Sequence, residues 1–353
     1  MATDRTNSDA LRTMAARLTG LEFVNPPQAP GATVAMALIP DPRDGAMMTV
    51  SGCNSGADLA LAACAGEAAE FMAQTQPVDT GAWQDPPAGR ERFLLDWLGP
   101  DAGGGFWFPA SGLLSGIEAA VPAALCRYHR ASARYDISTG CAAGATRDSA
   151  CLHALCEIIE RDASARWKAG TLRPAAMEIA RRPGLWLAQA RQGATARTVR
   201  LLDIGAGAAV PVVAAVSFDP DGRGFVSGVS AHPDPEKAAI GALREMIQME
   251  FGLLLARFKR DRSGPGNLQD ADLEHLRNAG RIHADSPLVT PEAGASGAAS
   301  AGLPAVDASA ADIAGRLAAE GHEVLVAGLT GTPGLNVVKV FVTGMPPPVR
   351  SVS

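Results

Sequence analysis

Glu67 and Glu70 stand three residues apart, as do Glu157 and Glu160, and the spacing returns at Glu245 with Gln248 in the second place. Residues at i and i+3 share one face of a helix. Each pair would therefore aim two oxygen donors in one direction. Five carboxylates and one amide brought together repel unless cations neutralise them, and hard divalent ions with oxygen ligands do this well. Mg2+ in particular divides its shell between one or two carboxylates and a substrate's phosphates. Arg161 follows the second pair and brings a fixed charge on a planar donor set suited to phosphate. One such Glu pair alone is ordinarily a solvated helix face. Recurrence among apolar neighbours, as in Cys156-Glu157-Ile158-Ile159-Glu160, argues instead for a shared site.

The elements that must position these residues form an internal repeat. Ser51-Gly52, Thr139-Gly140 and Ser227-Gly228 each precede an Ala-containing run and then a Glu, at Gly-to-Glu spacings of 15, 17 and 17 residues. The first glutamates are 90 and 88 residues apart. Each unit reads as a β-like segment, a Gly turn and a helix, with helices beginning near Ala57, Thr146 and Pro235. Asp148 and Asp234 supply acidic or capping character at two of the starts. The expected fold is α+β: three pseudo-repeated β-turn-helix units gathered about a central site in a single domain, 1–353.

Around this frame, residues 1–31 read as an N-terminal helix, with Leu11, Met14, Leu18 and Leu21 near helical spacing, broken by the Pro/Gly loop Asn25–Gly31. Thr33–Ile39, Met47–Val50, His322–Thr330 and Val337–Thr343 are β-like. Gly103–Gly116, with Phe106-Trp107-Phe108 inside it, reads as an ordered loop whose aromatics pack in the core or touch a peptide. Residues 284–312 are rich in Ala, Gly and Ser and are expected to form a low-complexity surface insertion remote from the site.

Composition narrows the class. The 353 residues are 47% hydrophobic and 19% charged, with a net charge of −6 and a pI near 5.6, so no general basic surface invites nucleic acid. Lysine is confined to Lys168, Lys237, Lys259 and Lys339, and Arg carries the remaining positive charge. The N-terminus MATDRTNSDA lacks an apolar signal core, and no uncharged run approaches the ~20 predominantly apolar residues of a membrane span. Six cysteines in this length do not make a disulfide scaffold. The expectation is a cytoplasmic protein that binds neither membrane nor nucleic acid. Cys151, His153 and Cys156 point in different directions on a helix and read as packing rather than zinc ligands. Cys53 beside its Gly turn reads as a small buried residue before a reactive thiol. Gly205-Ala206-Gly207 lacks the last glycine of a dinucleotide fingerprint.

At the acidic pairs the chain resembles a known family. STGCAAGATRDSACLHALCEIIERDA (138–163) is similar to the signature of YcaO proteins, ATP-dependent enzymes that activate peptide-backbone amides. The resemblance extends over the first and third units and over EVLVAGLTGTPGLNVVKVFVTGMPPP (323–348). It implies ATP and Mg2+ as cofactors and a nucleotide site at the centre of the three units. Glu67, Glu70, Glu157, Glu160 and Glu245 would then hold metal, and Arg161, Glu70, Glu160 and Gln248 would face the nucleotide and its phosphates. No catalytic acid or base is assigned. The implied activity is ATP-dependent modification of a ribosomally made precursor peptide, giving an azoline or a thioamide. A leader-peptide-binding or sulfur-delivery partner is implied as well, since nothing upstream of the YcaO-like region reads as a separate leader-binding domain. Association into a homodimer is left open. Pro346-Pro347-Pro348 partly matches the Pro-rich tail of the cyclising members.

The chain also departs from the family pattern. Cys53 stands where a Lys is usual, Ala145 replaces an Asn, Ser149 an acid, and Gly241 an Arg, with Arg244 displaced to another face. The alternative reading is therefore a non-catalytic YcaO-like subunit that binds peptide or a partner and has lost ATP turnover. If the nucleotide site is intact, another Arg must replace the missing cations, and Arg127, Arg130 and Arg134 are the candidates.

Overall fold

The computed structural model describes residues 12–77, 79, 81–84, 91–92, 106–128, 138–291, 307–329 and 334–345. In chain order the elements are β1 (Thr19–Val24), β2 (Thr33–Pro40), β3 (Met47–Asn54), α1 (Ala57–Gln74), β4 (Glu91–Arg92), β5 (Trp107–Gly112), β6 (Glu118–Pro122), β7 (Cys141–Gly144) and α2 (Arg147–Lys168). They continue as β8 (Ala175–Met177), α3 (Arg181–Arg191), β9 (Thr198–Asp203), β10 (Val212–Phe218), β11 (Val226–Ala231), α4 (Pro235–Ser263), α5 (Asp270–Arg281), α6 (Ala310–Ala319), β12 (Val324–Leu329) and β13 (Asn336–Val342).

Among the described residues these strands form three sheets, ordered β1-β2-β3, β11-β10-β9-β8 and β4-β6-β5-β12-β13-β7. Each sheet carries one helix of the repeat: α1 lies on β3, α2 on β7 and β13, and α4 on β10 and β11. The helix starts follow from local chemistry. Thr146 and Ser149 form a reciprocal capping box at the head of α2, and Asp234 accepts the amides of Glu236 and Lys237 ahead of Pro235 at the head of α4.

Glycines let helix and strand approach. A Cβ at Gly52 would stand 2.5 Å from the Ala60 carbonyl oxygen, and one at Gly144 would stand 2.6 Å from the Ala150 amide. A Cβ at Gly228 would collide with the Met246 amide and the Ala242 carbonyl. Small residues on the helices continue this close fit, for Ala60, Ala65, Ala68, Ala69, Ala150, Ala154, Ala238, Ala239 and Ala242 are all fully buried.

Three expectations need correction. The N-terminal helix ends earlier than its apolar spacing suggests. Residues 12–15 are helical, but Leu21 lies in β1, where Gly20 takes φ +59° and the chain pairs antiparallel with β2. Within Gly103–Gly116, residues 107–112 are strand β5, and Phe108 is buried in the core. The segment 284–312 is not a surface insertion throughout. Val289 is fully buried, the Leu288 carbonyl accepts the Trp167 indole N–H at 2.7 Å, and Ser309 with Asp312 caps α6. Residues 292–306 and 346–353, including the three consecutive prolines, lie outside the described residues.

A buried ion-pair cluster fixes the Pro/Gly loop to α4. Arg191 holds Glu250 through two bonds of 2.6 and 2.7 Å and also donates to the Gln28 carbonyl at 3.1 Å. Arg197 and the Ser217 hydroxyl reach the same carboxylate at 3.2 and 2.5 Å.

Candidate functional site

The first glutamate of each helix bonds back to the strand of its own unit. Glu67 accepts the Ser51 amide at 2.7 Å, Glu157 the Gly140 amide at 3.0 Å, and Glu245 the Val229 amide at 2.7 Å. The second residue of each pair reaches forward to another unit's strand. Glu70 accepts the Ala143 amide at 2.8 Å, Glu160 accepts the Ala231 amide, and Gln248 donates to the Ser51 hydroxyl at 2.8 Å. Unit one thus passes to two, two to three, and three back to one. Strand and helix approach closely enough for these bonds at the glycines described above.

The electrostatics follow this chain of contacts. Desolvation pushes the Glu70 carboxyl up to about 8, opposed by its bond from Ala143, with the charges of Glu157 and Glu67 adding to the rise. Glu160 is also pushed up to about 8, by desolvation and then by the Glu245 charge, while Arg161 pulls it down. Glu67 and Glu245 are raised by desolvation as well, each against one backbone N–H bond. Arg161 stands 3.7 Å from Glu157 and 4.0 Å from Glu160, and its neighbour Asp162 pairs with Arg166 instead. The five sequence-identified glutamates therefore feel one another in series.

Two of the molecule's cavities touch this series. Glu67 and Glu70 open on a cavity of about 540 Å3 together with Ala143, Gly144, Ala145 and Ser149. Glu245 and Arg161 open on another of about 270 Å3 with Lys168, Ser227 and His275. Glu157 and Glu160 connect the two groups electrostatically. Lys168 was not legible as a site residue, because its spacing belongs to the end of α2. Its charge nevertheless acts on Glu245.

The donor set fits hard cations shared with phosphate. Carboxylates whose pKa values are raised by desolvation and by one another's charge accept a cation in place of a proton. Among the described residues no three His, Cys, Asp or Glu side chains converge as a closed metal cage.

The departures have local physical accounts. Ser149 is spent on the capping box, its hydroxyl taking the Thr146 amide at 3.1 Å, so the start of α2 carries no acid at that place. A side chain at Gly241 would collide with Ser230 on β11. Cys53 is buried and its thiol is pushed up to about 11, which rules against a reactive thiolate. Cys151 and Cys156 are core residues of α2.

Arg127 does not turn toward the carboxylates as a substitute cation. It is fully buried, bonds the Ala73 carbonyl at the end of α1 and lies over the Phe108 ring at 5.2 Å. Arg130 and Arg134 lie outside the described residues. Arg244 is not displaced from the face as its spacing suggested. Helical side chains lean toward the N-terminus, and its Nη2 lies 3.9 Å from the Cβ position of Gly241, one turn back.

Residues 89–346 match the family model described as YcaO cyclodehydratase, ATP- and Mg2+-binding. The fold is similar to that of a heterocyclase in complex with substrate and cofactor (TM-score 0.76, 22% identity), over 97% of this chain and 52% of that one. The chain thus spans about half the heterocyclase's length. It also resembles YcaO from Methanopyrus kandleri bound with AMPPCP and Mg2+ (TM-score 0.68, 19% identity), over 98% of this chain and 95% of that one. A third likeness is to the E. coli microcin synthetase McbBCD complex (TM-score 0.52, 15% identity, 91% and 86% covered). No curated protein sequence matches the chain. Among the described residues no helix is long and apolar enough to cross a membrane.

Proposed function

The chain belongs to the YcaO family, and on that premise we propose that it is an ATP- and Mg2+-dependent enzyme that activates backbone amides of a ribosomally made precursor peptide. The observation that carries this reading is the linked series of carboxylates, Glu67, Glu70, Glu157, Glu160 and Glu245, two of them with pKa values pushed up to about 8, beside Arg161. Such a series is costly to a fold unless cations occupy it.

In this reading the carboxylates hold Mg2+, Arg161 contacts phosphate, and Gln248 keeps α4 in register with β3. ATP with Mg2+ supplies the phosphoryl group that makes an amide oxygen a leaving group. The residues' contribution is preorganised charge and position. Each first glutamate is fixed by its own strand's amide, so its free oxygen is aimed before any ligand arrives. The favoured product is an azoline, formed by a Cys, Ser or Thr side chain of the peptide, because heterocyclases are among the structures it resembles. Thioamide formation with external sulfide would use the same site. Delivery of the peptide by a partner protein belongs to the same proposal.

A second reading, a non-catalytic subunit that binds peptide or partner, is favoured by Ser149 serving as a cap and by the thiol of Cys53 where a cation is usual. Calorimetry with Mg2+ and ATP separates the two. The enzyme reading expects binding by the wild type and its loss in Arg161→Ala. No binding by either protein, even with the peptide and partner present, rejects it.

A further inference from the structure

Arg244 is a cation in search of an anion. It is half-buried on α4, and no hydrogen bond or ion pair joins it to any described residue. Its guanidinium lies beside the space left by Gly241, and the neighbouring ionisable group that feels its charge is the Cys53 thiol on β3. A guanidinium half-buried without a counter-charge costs the fold free energy that an external anion would offset. Chain geometry places it well for one. Gly241, Arg244, Glu245 and Gln248 fall within about 100° of arc on α4. Two of these residues already bond to strands of different units, Glu245 to Val229 and Gln248 to Ser51. A guanidinium flanking that face and reaching toward Cys53 stands where β3 and α4 meet.

We propose that Arg244 is a phosphate-contacting residue of the nucleotide site, covering with one side chain the two positions, Cys53 and Gly241, at which this chain lacks a cation. The inference rests on the ATP reading above. The packing explains why the charge comes from this position. A side chain at Gly241 would collide with Ser230, so α4 cannot carry an Arg there while lying this close to β11. Moving the Arg along the helix and folding it back over the glycine restores the charge without separating helix from sheet. The fork of an Arg is suited to phosphate oxygens and forms charge-assisted bonds with them.

The test measures the affinity of the full chain for ATP with Mg2+, and for magnesium triphosphate, in wild type, Arg244→Ala, Arg244→Lys, Arg161→Ala and the double variant Cys53→Lys/Arg244→Ala. Thermal unfolding of each reports whether it folds, with Arg244→Gln replacing the alanine variant if that one does not. The expected result is at least ~10-fold weaker binding in Arg244→Ala, an intermediate value in Arg244→Lys, and recovery in the double variant, where the cation returns from β3. Arg244→Ala binding like wild type while Arg161→Ala is weakened overturns this inference alone. Loss in Arg244→Ala that neither lysine variant relieves overturns it too, since the loss then follows packing rather than charge. A wild type that binds neither ligand removes the ATP reading and this inference with it.

Discussion

The side-chain amide of Gln248 donates to the hydroxyl of Ser51 at 2.8 Å, joining α4 to β3 across 197 positions of sequence. It is the third link of the circuit in which Glu70 meets Ala143 and Glu160 meets Ala231. Here the bond runs the other way. The Ser51 amide is already given to Glu67, so the strand offers a hydroxyl acceptor and the helix a donor. A carboxylate at 248 would have no amide to accept. Gln248→Ala is expected to cost about 1 kcal/mol of stability, the worth of one such bond. A double-mutant cycle with Ser51→Ala, read by denaturant unfolding, should show coupling of about 0.5–1.5 kcal/mol. Simple additivity would mean that the bond contributes nothing.

The carboxylates predict an unusual pH dependence. Burial pushes Glu70 and Glu160 up to about 8 from an ordinary carboxylate value of 4.5, so the folded chain binds more protons than the unfolded chain between those limits. Their contribution is fully present below about 4.5 and is lost as pH rises through about 8. The metal-free protein should therefore lose several degrees of melting temperature between about pH 5 and pH 8 from these groups. Millimolar Mg2+ should flatten the slope by replacing protons with cations. A metal-free melting temperature that rises over this interval would contradict the assignment.

Glu160→Gln tests the same charge without changing shape. A neutral amide resembles the protonated acid of the metal-free fold, so melting at pH 7 should move little. Affinity for Mg2+ with ATP should drop by at least ~10-fold, as expected when a charged ligand is removed. Unchanged affinity would place the cation elsewhere.

Gly228→Ala tests the close approach of β11 and α4. The added methyl meets the Met246 amide and the Ala242 carbonyl, so the helix must move away and Glu245 must leave the Val229 amide. The expected loss is about 1–3 kcal/mol, together with weaker nucleotide binding. Hydrogen exchange at Val229 would report the broken bond directly.

Arg191→Ala should destabilise the fold strongly without touching the site. It removes the two shortest Arg bonds to Glu250, which is 2% exposed, and leaves that carboxylate to Arg197 and Ser217. Breaking a buried pair from one side costs about 3–5 kcal/mol, and with Arg197 still in place the loss should lie toward the lower end, to be measured by chemical unfolding. Arg191→Ala, Glu250→Leu should recover part of that loss.

The sequence made the repeat legible because its constraints are local. Gly turns, caps and i, i+3 acids occur within short stretches, and α1, α2 and α4 begin at Ala57, Arg147 and Pro235, within one residue of the expected places. What it hid depends on long-range packing. Leu18 and Leu21 suit a helix or a strand equally, and pairing of Thr19 and Glu22 with β2 on either side decides for strand at Leu21. Ala-rich composition concealed that Val289 and Leu288 close over Trp167, because a single buried valine leaves no periodic mark. Arg244 was misplaced since position on a helical wheel ignores the lean of a long side chain into the gap above a glycine.

The circuit of strand bonds also sets when in synthesis the site can exist. Ser51 leaves the ribosome about two hundred residues ahead of Gln248, and the last link closes only after α4 has followed. Until then Glu67 and Glu70 belong to an open-ended assembly that lacks Glu245, and a nascent chain has no complete set of carboxylates for the proposed nucleotide site. Pairing over such separations is slow compared with forming the individual helices. Competence is thus acquired in one late step, and a truncated translation product ending before α4 would carry two of the three acidic helices with no way to join them into a ring.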